Sequence, residues 1–280
     1  MKKKGRLTTV LLAAAFLVGL GLLLYPSVSD YWNSFHQSQV VDTYKEDVQT
    51  MDEATYEAIL NEARDYNAEL AKRGPDAMLA DEQQRYNRAL DVSGTGVMGY
   101  IEIPSIDVSL PIFHGTSHEV LQSSVGHIEW SSLPVGGPDA HSVLSGHRGL
   151  PSSRLLSDLD KLVVGDTFTV HVLREVYTYE VDEIRIVLPT ETDSLQIMPG
   201  QDLCTLVTCT PYGINTHRLL VRGHRVANDG AVDPDRVSAD AVRIEPLVIA
   251  PVFFAVLTAA ALGVSTVVNR RRRKPGAHAR

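Results

Sequence analysis

Apolar residues follow three different periods along this chain, and each period predicts a different kind of element. At the two ends they run almost unbroken, over residues 7–24 (LTTVLLAAAFLVGLGLLL) and 247–268. Each run is long enough to cross a bilayer as a helix, which takes about 20 residues. Residues 30–50 carry little signal. From Thr50 to Arg73 the spacing becomes three and four, with Tyr56, Ile59, Leu60, Ala63, Tyr66 and Leu70 on one stripe, which predicts an amphipathic helix. Thr50 and Glu53 have capping-box spacing at its start, and Gly74-Pro75 end it. Residues 74–95 are polar and irregular, a linker or cover segment. From Gly96 the period drops to two: Val108, Leu110 and Ile112, then Phe168, Val170 and Val172, then Tyr177, Tyr179 and Val181. These predict strands. Ser153–Leu162 (SRLLSDLDKL) reads as a short helix between them, and Gly136, Gly137, Pro138, Gly165 and Gly200 punctuate the rest. Many short strands with few helices predict a mostly β fold, a closed or nearly closed barrel.

The expected organisation is therefore a leader and first membrane helix over residues 1–29, a helical extension over 30–95, a barrel over 96–228, a linker over 229–245, a second membrane helix over 246–268 and a basic tail over 269–280. Charge adds a topology. The leader Met1-Lys2-Lys3-Lys4-Gly5-Arg6 and the tail starting Arg270-Arg271-Arg272-Arg273-Lys274 flank the apolar runs on their outer sides. The positive-inside rule then puts both termini in the cytoplasm, at the membrane lipid, and the barrel outside the cell. The alternative for the first run is a signal peptide cleaved near Ser27-Val28-Ser29. Ten of the 26 Lys and Arg lie in these tails, so the remainder sets 16 basic against 34 acidic residues, a balance of −18. A segment that acidic is no nucleic-acid binder, because a phosphate backbone demands clustered cations.

Candidate chemistry gathers at two strand ends. Cys209 ends the strand-like run TLVTC (205–209), Pro211 and Gly213 turn the chain, and HRLLVRGHR (217–225) reads as a returning strand. Cys209 and Arg218 then lie side by side. Upstream, Ser142–Gly149 (SVLSGHRG) runs an apolar strand into glycines that bracket His147, so this histidine is aimed rather than buried. A free thiol has a pKa of about 8.5, and a neighbouring imidazolium or cation favours the thiolate that attacks. Cys209, His147 and Arg218 would supply nucleophile, acid/base and positive charge. His217, next to Arg218 in one strand, faces the other way. His141 lies about 20 Å from His147 if the strand is extended, and Arg222 and Arg225 read as surface charges. A metal site built from His141, His147 and a carboxylate would lack the tight spacing of zinc ligands. Cys204 and Cys209 are five apart in one strand, about 16 Å, too far for a disulfide that needs Cα atoms within roughly 7 Å. Cys204 is expected in the core and Cys209 free.

At these residues the chain resembles the sortases, cysteine transpeptidases of Gram-positive cell surfaces marked by a TLxTC strand followed by an arginine strand. The longer runs TLVTCTPYGINTHRLLVRG (205–223), GHRGLP (146–151) and LPTETD (188–193) are similar to class C, the pilin-polymerising branch. The resemblance covers residues 97–226. It implies a closed eight-stranded β-barrel and the catalytic residues His147, Cys209 and Arg218, with no cofactor. It also implies a lid in the segment before the barrel. The family's lid usually carries Asp-Pro-aromatic; this stretch departs from that motif and offers only Gly74-Pro75-Asp76-Ala77-Met78, with Asp76 and Met78 as the candidate lid residues.

The implied reaction attacks an LPxTG-like sorting signal between Thr and Gly, forms a thioester on Cys209, and passes the acyl group to a lysine amine of an acceptor pilin. Leu188–Gln201 has the length of a binding loop for that signal. Two other readings stand beside it: a housekeeping sortase that anchors surface proteins to peptidoglycan, and a non-catalytic, membrane-tethered binding or scaffold barrel.

Overall fold

The computed structural model describes residues 2–74 and 80–228 of this chain. The second apolar run, the expected linker, the basic tail and Asp76 and Met78, the residues expected to form a lid, lie outside the described residues. Among the described residues two units are formed, one including residues 2–28 and the other including residues 29–228. Helix α1 (Lys2–Thr50) begins in the first, and its apolar stretch is long enough to cross a membrane by length and composition.

The stretch over residues 30–50 proves helical, where the sequence carries little signal. Its inward stripe is Asn33, Gln37, Val41, Tyr44 and Val48, spaced by four, four, three and four. Val41, Tyr44 and Val48 are buried, while Asn33 Nδ2 donates to Ser152 O (2.7 Å) and Gln37 Nε2 to Ser123 O (2.6 Å). Two polar members hide the stripe from a hydrophobic reading. The cap of helix α2 (Glu53–Arg73) also differs from expectation. Asp52 holds it, its carboxylate accepting from Thr55 N (3.0 Å) and Thr55 Oγ1 (2.7 Å). Thr50 instead finishes α1, donating back to Glu46 O and Asp47 O. Gly74, at φ +81°, ends α2 as expected.

Within residues 74–95, expected to be irregular, Ala80–Arg88 forms helix α3. Ion pairs Arg85–Glu69 and Arg73–Glu82 tie it to α2, and the fully buried Tyr86 anchors it to the barrel. One large apolar residue in nine is too few to show a period. A polar bond also fixes α2: Asn67 donates to Leu133 O (2.9 Å) and accepts from Leu133 N (2.8 Å) while buried.

The remainder is the expected closed barrel of eight strands: β1 (Val97–Ile103), β2 (Val108–His114), β3 (Val125–His127), β4 (Ala140–Ser145), β5 (Thr167–Val172), β6 (Glu175–Val187), β7 (Asp202–Thr210) and β8 (His217–Arg225). A short helix α4 (His118–Ser123) precedes β3. Around the barrel the order is β1-β2-β3-β4-β7-β8-β6-β5. Two contacts are parallel, β2 with β3 and β4 with β7; the rest are antiparallel. Alternate residues of each strand fill the interior, among them Ile101, Ile103, Ile112, Leu144, Phe168, Val170, Val181, Leu206 and Val221.

The helix expected over Ser153–Leu162 is replaced by turns and a 3-10 turn at Leu159–Lys161. Leu155 sits at φ +40°, which breaks helical continuity. The irregular path lets Leu155, Leu156 and Leu159 all reach the core.

Candidate active site

The parallel pairing of β4 with β7 puts the carboxyl ends of both strands at the same level, with Ser145 opposite Val207. Each chain then continues two residues from that pair, to His147 on one side and Cys209 on the other. Gly146 N donates to Val207 O (3.1 Å), and Thr208 Oγ1 donates to Gly146 O (2.8 Å). A side chain at 146 would crowd Leu156, whose Cδ1 would stand 2.8 Å from an added Cβ. Leu156 N in turn donates to His147 O (3.3 Å). The histidine is thus held through the backbone on either side.

Along β7 burial is continuous from Leu203 to Thr208, with Cys204 and Leu206 in the barrel core and Val207 in a separate cluster on the other face. Cys204, Leu206 and Thr208 are buried, Cys204 completely, whereas Cys209 is partly exposed at the strand end and both thiols are free. Burial pushes the Cys204 thiol well up, so it stays protonated and inert. Cys209 pairs directly with Arg218 on β8, which puts both side chains on one face. Arg218 Nη1 donates to His217 O (3.1 Å) and Asn215 O (3.3 Å). Among the described residues no carboxylate lies within ion-pair distance of it, so its charge is uncompensated beside the thiol. Partial burial, and secondarily the neighbouring His118 on α4, lower the pKa of His147 below the usual imidazole value. His118 is a member of this surrounding that no periodicity or spacing in the sequence singles out.

The same face continues away from Cys209 as an apolar floor. Val143, Val207 and Leu220 form it with Leu195 from the β6–β7 loop, and Ile128, Trp130 and Val187 pack at its margins. His141 staples this loop. Its ring bonds Gln196 O (2.9 Å) on one side and Thr205 Oγ1 (2.7 Å) on the other, so it is a satisfied core histidine away from the thiol. Farther along, Arg222 pairs with Asp182 (3.0 Å) and Glu183 (2.8 Å). Arg225 lies over the Tyr177 ring at 4.7 Å. Among the described residues no three His, Cys, Asp or Glu side chains are gathered to hold a metal ion.

Such an arrangement suits acyl transfer: a thiol and an imidazole at adjoining strand ends, a guanidinium in register with the thiol and without a carboxylate partner among the described residues, and an apolar strip for an extended peptide. Comparison with known proteins points the same way. Residues 101–226 match the sortase domain family. The structure of sortase C1 from Streptococcus agalactiae is 57% identical, covers 68% of this chain and 100% of its own, and superposes with a TM-score of 0.67. Sortase C from Streptococcus pneumoniae, characterised for catalysis and pilin substrate specificity, is 43% identical over 68% of this chain and 97% of its own, with a TM-score of 0.62. Sortase C from Clostridium perfringens, solved with the C-terminal cell wall sorting motif, is 40% identical over 68% and 99%, with a TM-score of 0.60. With that identity over a whole catalytic domain, this chain belongs to the sortases, the cysteine transpeptidases, and within them to class C.

Proposed function

We propose that this enzyme polymerises pilin subunits at the outer face of the membrane, with Cys209, His147 and Arg218 as its catalytic residues. The observation that carries the reading is the meeting of three strand ends, with Cys209 in register with Arg218 and β4 parallel to β7. The Cys209 thiolate attacks the Thr carbonyl carbon of an LPxTG-like sorting signal lying along the Val207–Leu220 floor. The C–N bond to Gly breaks as the His147 imidazolium gives its proton to the leaving amine, and the Thr acyl group remains as a thioester. A lysine amine of the next pilin then attacks that thioester and loses a proton to neutral His147. The product is an isopeptide bond, and the Cys209 thiolate is regenerated.

Arg218 donates to the carbonyl oxygen as negative charge develops there, a role whose loss costs about 10²–10³ in rate. The sorting motif bound by the Clostridium perfringens protein and the pilin specificity of the Streptococcus pneumoniae protein support this substrate pair. Helix α1 serves as membrane anchor in this reading, with the second apolar run as its counterpart.

The test is intact mass spectrometry of the full chain in detergent with an LPxTG-type peptide. The expected result is a thioester adduct on the wild type that is absent from Cys209→Ala and is released by a pilin carrying its acceptor lysine. Release by a peptidoglycan-type amine in preference to pilin lysine would move the assignment to cell-wall anchoring.

A further inference from the structure

The residues flanking His147 are tied pairwise to the residues flanking Cys209. On the core side, Gly146 bonds Val207 and Thr208 as described. On the outer side, Arg148 Nη1 reaches Thr210 Oγ1 in a long bond of 3.4 Å, and its guanidinium lies 5.9 Å from the centre of the Tyr212 ring. Gly149, at φ +83°, completes the contact, since an added Cβ would stand 3.2 Å from that ring. Arg148 is itself held by Asp160, whose Oδ2 is 2.5 Å from Nη2.

Only 10% of the Arg148 side chain is exposed, and among the described residues its buried Nε has no partner. An unsatisfied buried donor is destabilising, so an apolar side chain would fill this space at lower cost if packing were all that mattered. The group therefore does something that packing alone does not require.

We propose that Arg148 is a positioning residue for acyl transfer: braced by Asp160 and laid against Tyr212, it locks the His147 loop onto the end of β7 and so sets imidazole against thiol. It acts through these neighbours, apart from substrate and reacting atoms. This rests on the reading of Cys209 and His147 as nucleophile and acid/base. Nothing in the residue spacing marks Arg148 out, because its partners lie 12 and 62 residues away.

The experiment compares Arg148→Met, Arg148→Lys and Asp160→Asn in the full chain in detergent, measuring kcat and KM for acylation by an LPxTG-type peptide and, separately, the folded fraction by circular dichroism. Displacing a reacting group by about 1 Å can cost 10²-fold. Arg148→Met should accordingly lose about tenfold to a hundredfold in kcat at a KM within about twofold of wild type. Arg148→Lys, which keeps the charge and loses the fork, should recover part of that loss, and Asp160→Asn should lose less than Arg148→Met.

A kcat within twofold of wild type in Arg148→Met overturns the proposal. So does a fall matched by the folded fraction, or a rise in KM at unchanged kcat. If Arg148→Met does not fold, Asp160→Asn and Tyr212→Leu decide on the same criteria. A wild-type chain that forms no adduct, or a Cys209→Ala chain that forms one, overturns the catalytic assignment instead.

Discussion

Two cysteines five positions apart meet opposite fates because a strand has two faces. Cys204 points into the barrel and is fully buried; Cys209 points out at the strand end. Cys204→Ala should leave the acylation rate within about twofold of wild type while lowering Tm, the mark of a packing residue. Arg218→Lys should behave oppositely. Replacing a planar fork by a point charge keeps the field and loses the aimed donors, so kcat for acylation should fall about 10²–10³-fold with Tm little changed. Both follow from measuring rate and Tm on the same preparations. The contrast was legible in the residues themselves: a two-residue period assigns the faces, and a short turn brings Arg218 beside Cys209. His147 was legible only in part. Its glycine-flanked context and the family resemblance single it out, but that it meets Cys209 depends on a parallel pairing across some sixty residues, which no local pattern encodes.

At the level of elements, the mispredicted parts share a cause. None shows an unbroken apolar period: two polar residues stand in the α1 stripe, Tyr86 is the one large apolar anchor of α3, and the positive φ of Leu155 breaks a helix whose leucines still reach the core. Asn67 shows how much such a contact can carry. It closes a two-way bond to the Leu133 backbone inside the protein, so Asn67→Leu would leave a buried N–H and a buried C=O without partners. The expected cost is about 2–4 kcal/mol, read as a fall in Tm of roughly 5–15 °C for a domain of this size. The barrel shows a second device in β6. Beyond Glu180 that strand pairs with β8 alone, leaving Asp182–Val187 with an open edge that exposes Ile184 and Ile186. A register shift between Val181 and Glu183 and the charged pair Glu183–Arg185 fall on that edge, features that discourage strand addition by another chain.

For the molecule as a whole, the buried Tyr86–His127 pair couples the helical layer to the barrel and makes stability depend on pH. His127 is completely buried. Its Nε2–H donates to Ser132 O (2.8 Å), and its Nδ1 lies 3.0 Å from Tyr86 OH, which also receives Gly115 N–H (3.0 Å). Burial drives its pKa down from 6.5 to about 4. The folded state therefore binds fewer protons than the unfolded state between these values. Stability should be undiminished above about pH 6.5 and fall as pH drops toward about 4, by a total on the order of 3 kcal/mol. Denaturation followed at several pH values should show this slope, and His127→Gln should flatten it.

The parallel alignment of β4 with β7 also bears on the order of events during biosynthesis. Strands β5 and β6 lie between them in the chain, and of the two neighbours of β7 in the sheet only β4 precedes it, while β8 is made after it. Long-range pairings of this kind form late, because the intervening loop must be closed first. A chain halted before β8 thus carries Cys209 without Arg218 opposite it, and on the function proposed above acyl-transfer capacity reports that β8 has closed the barrel.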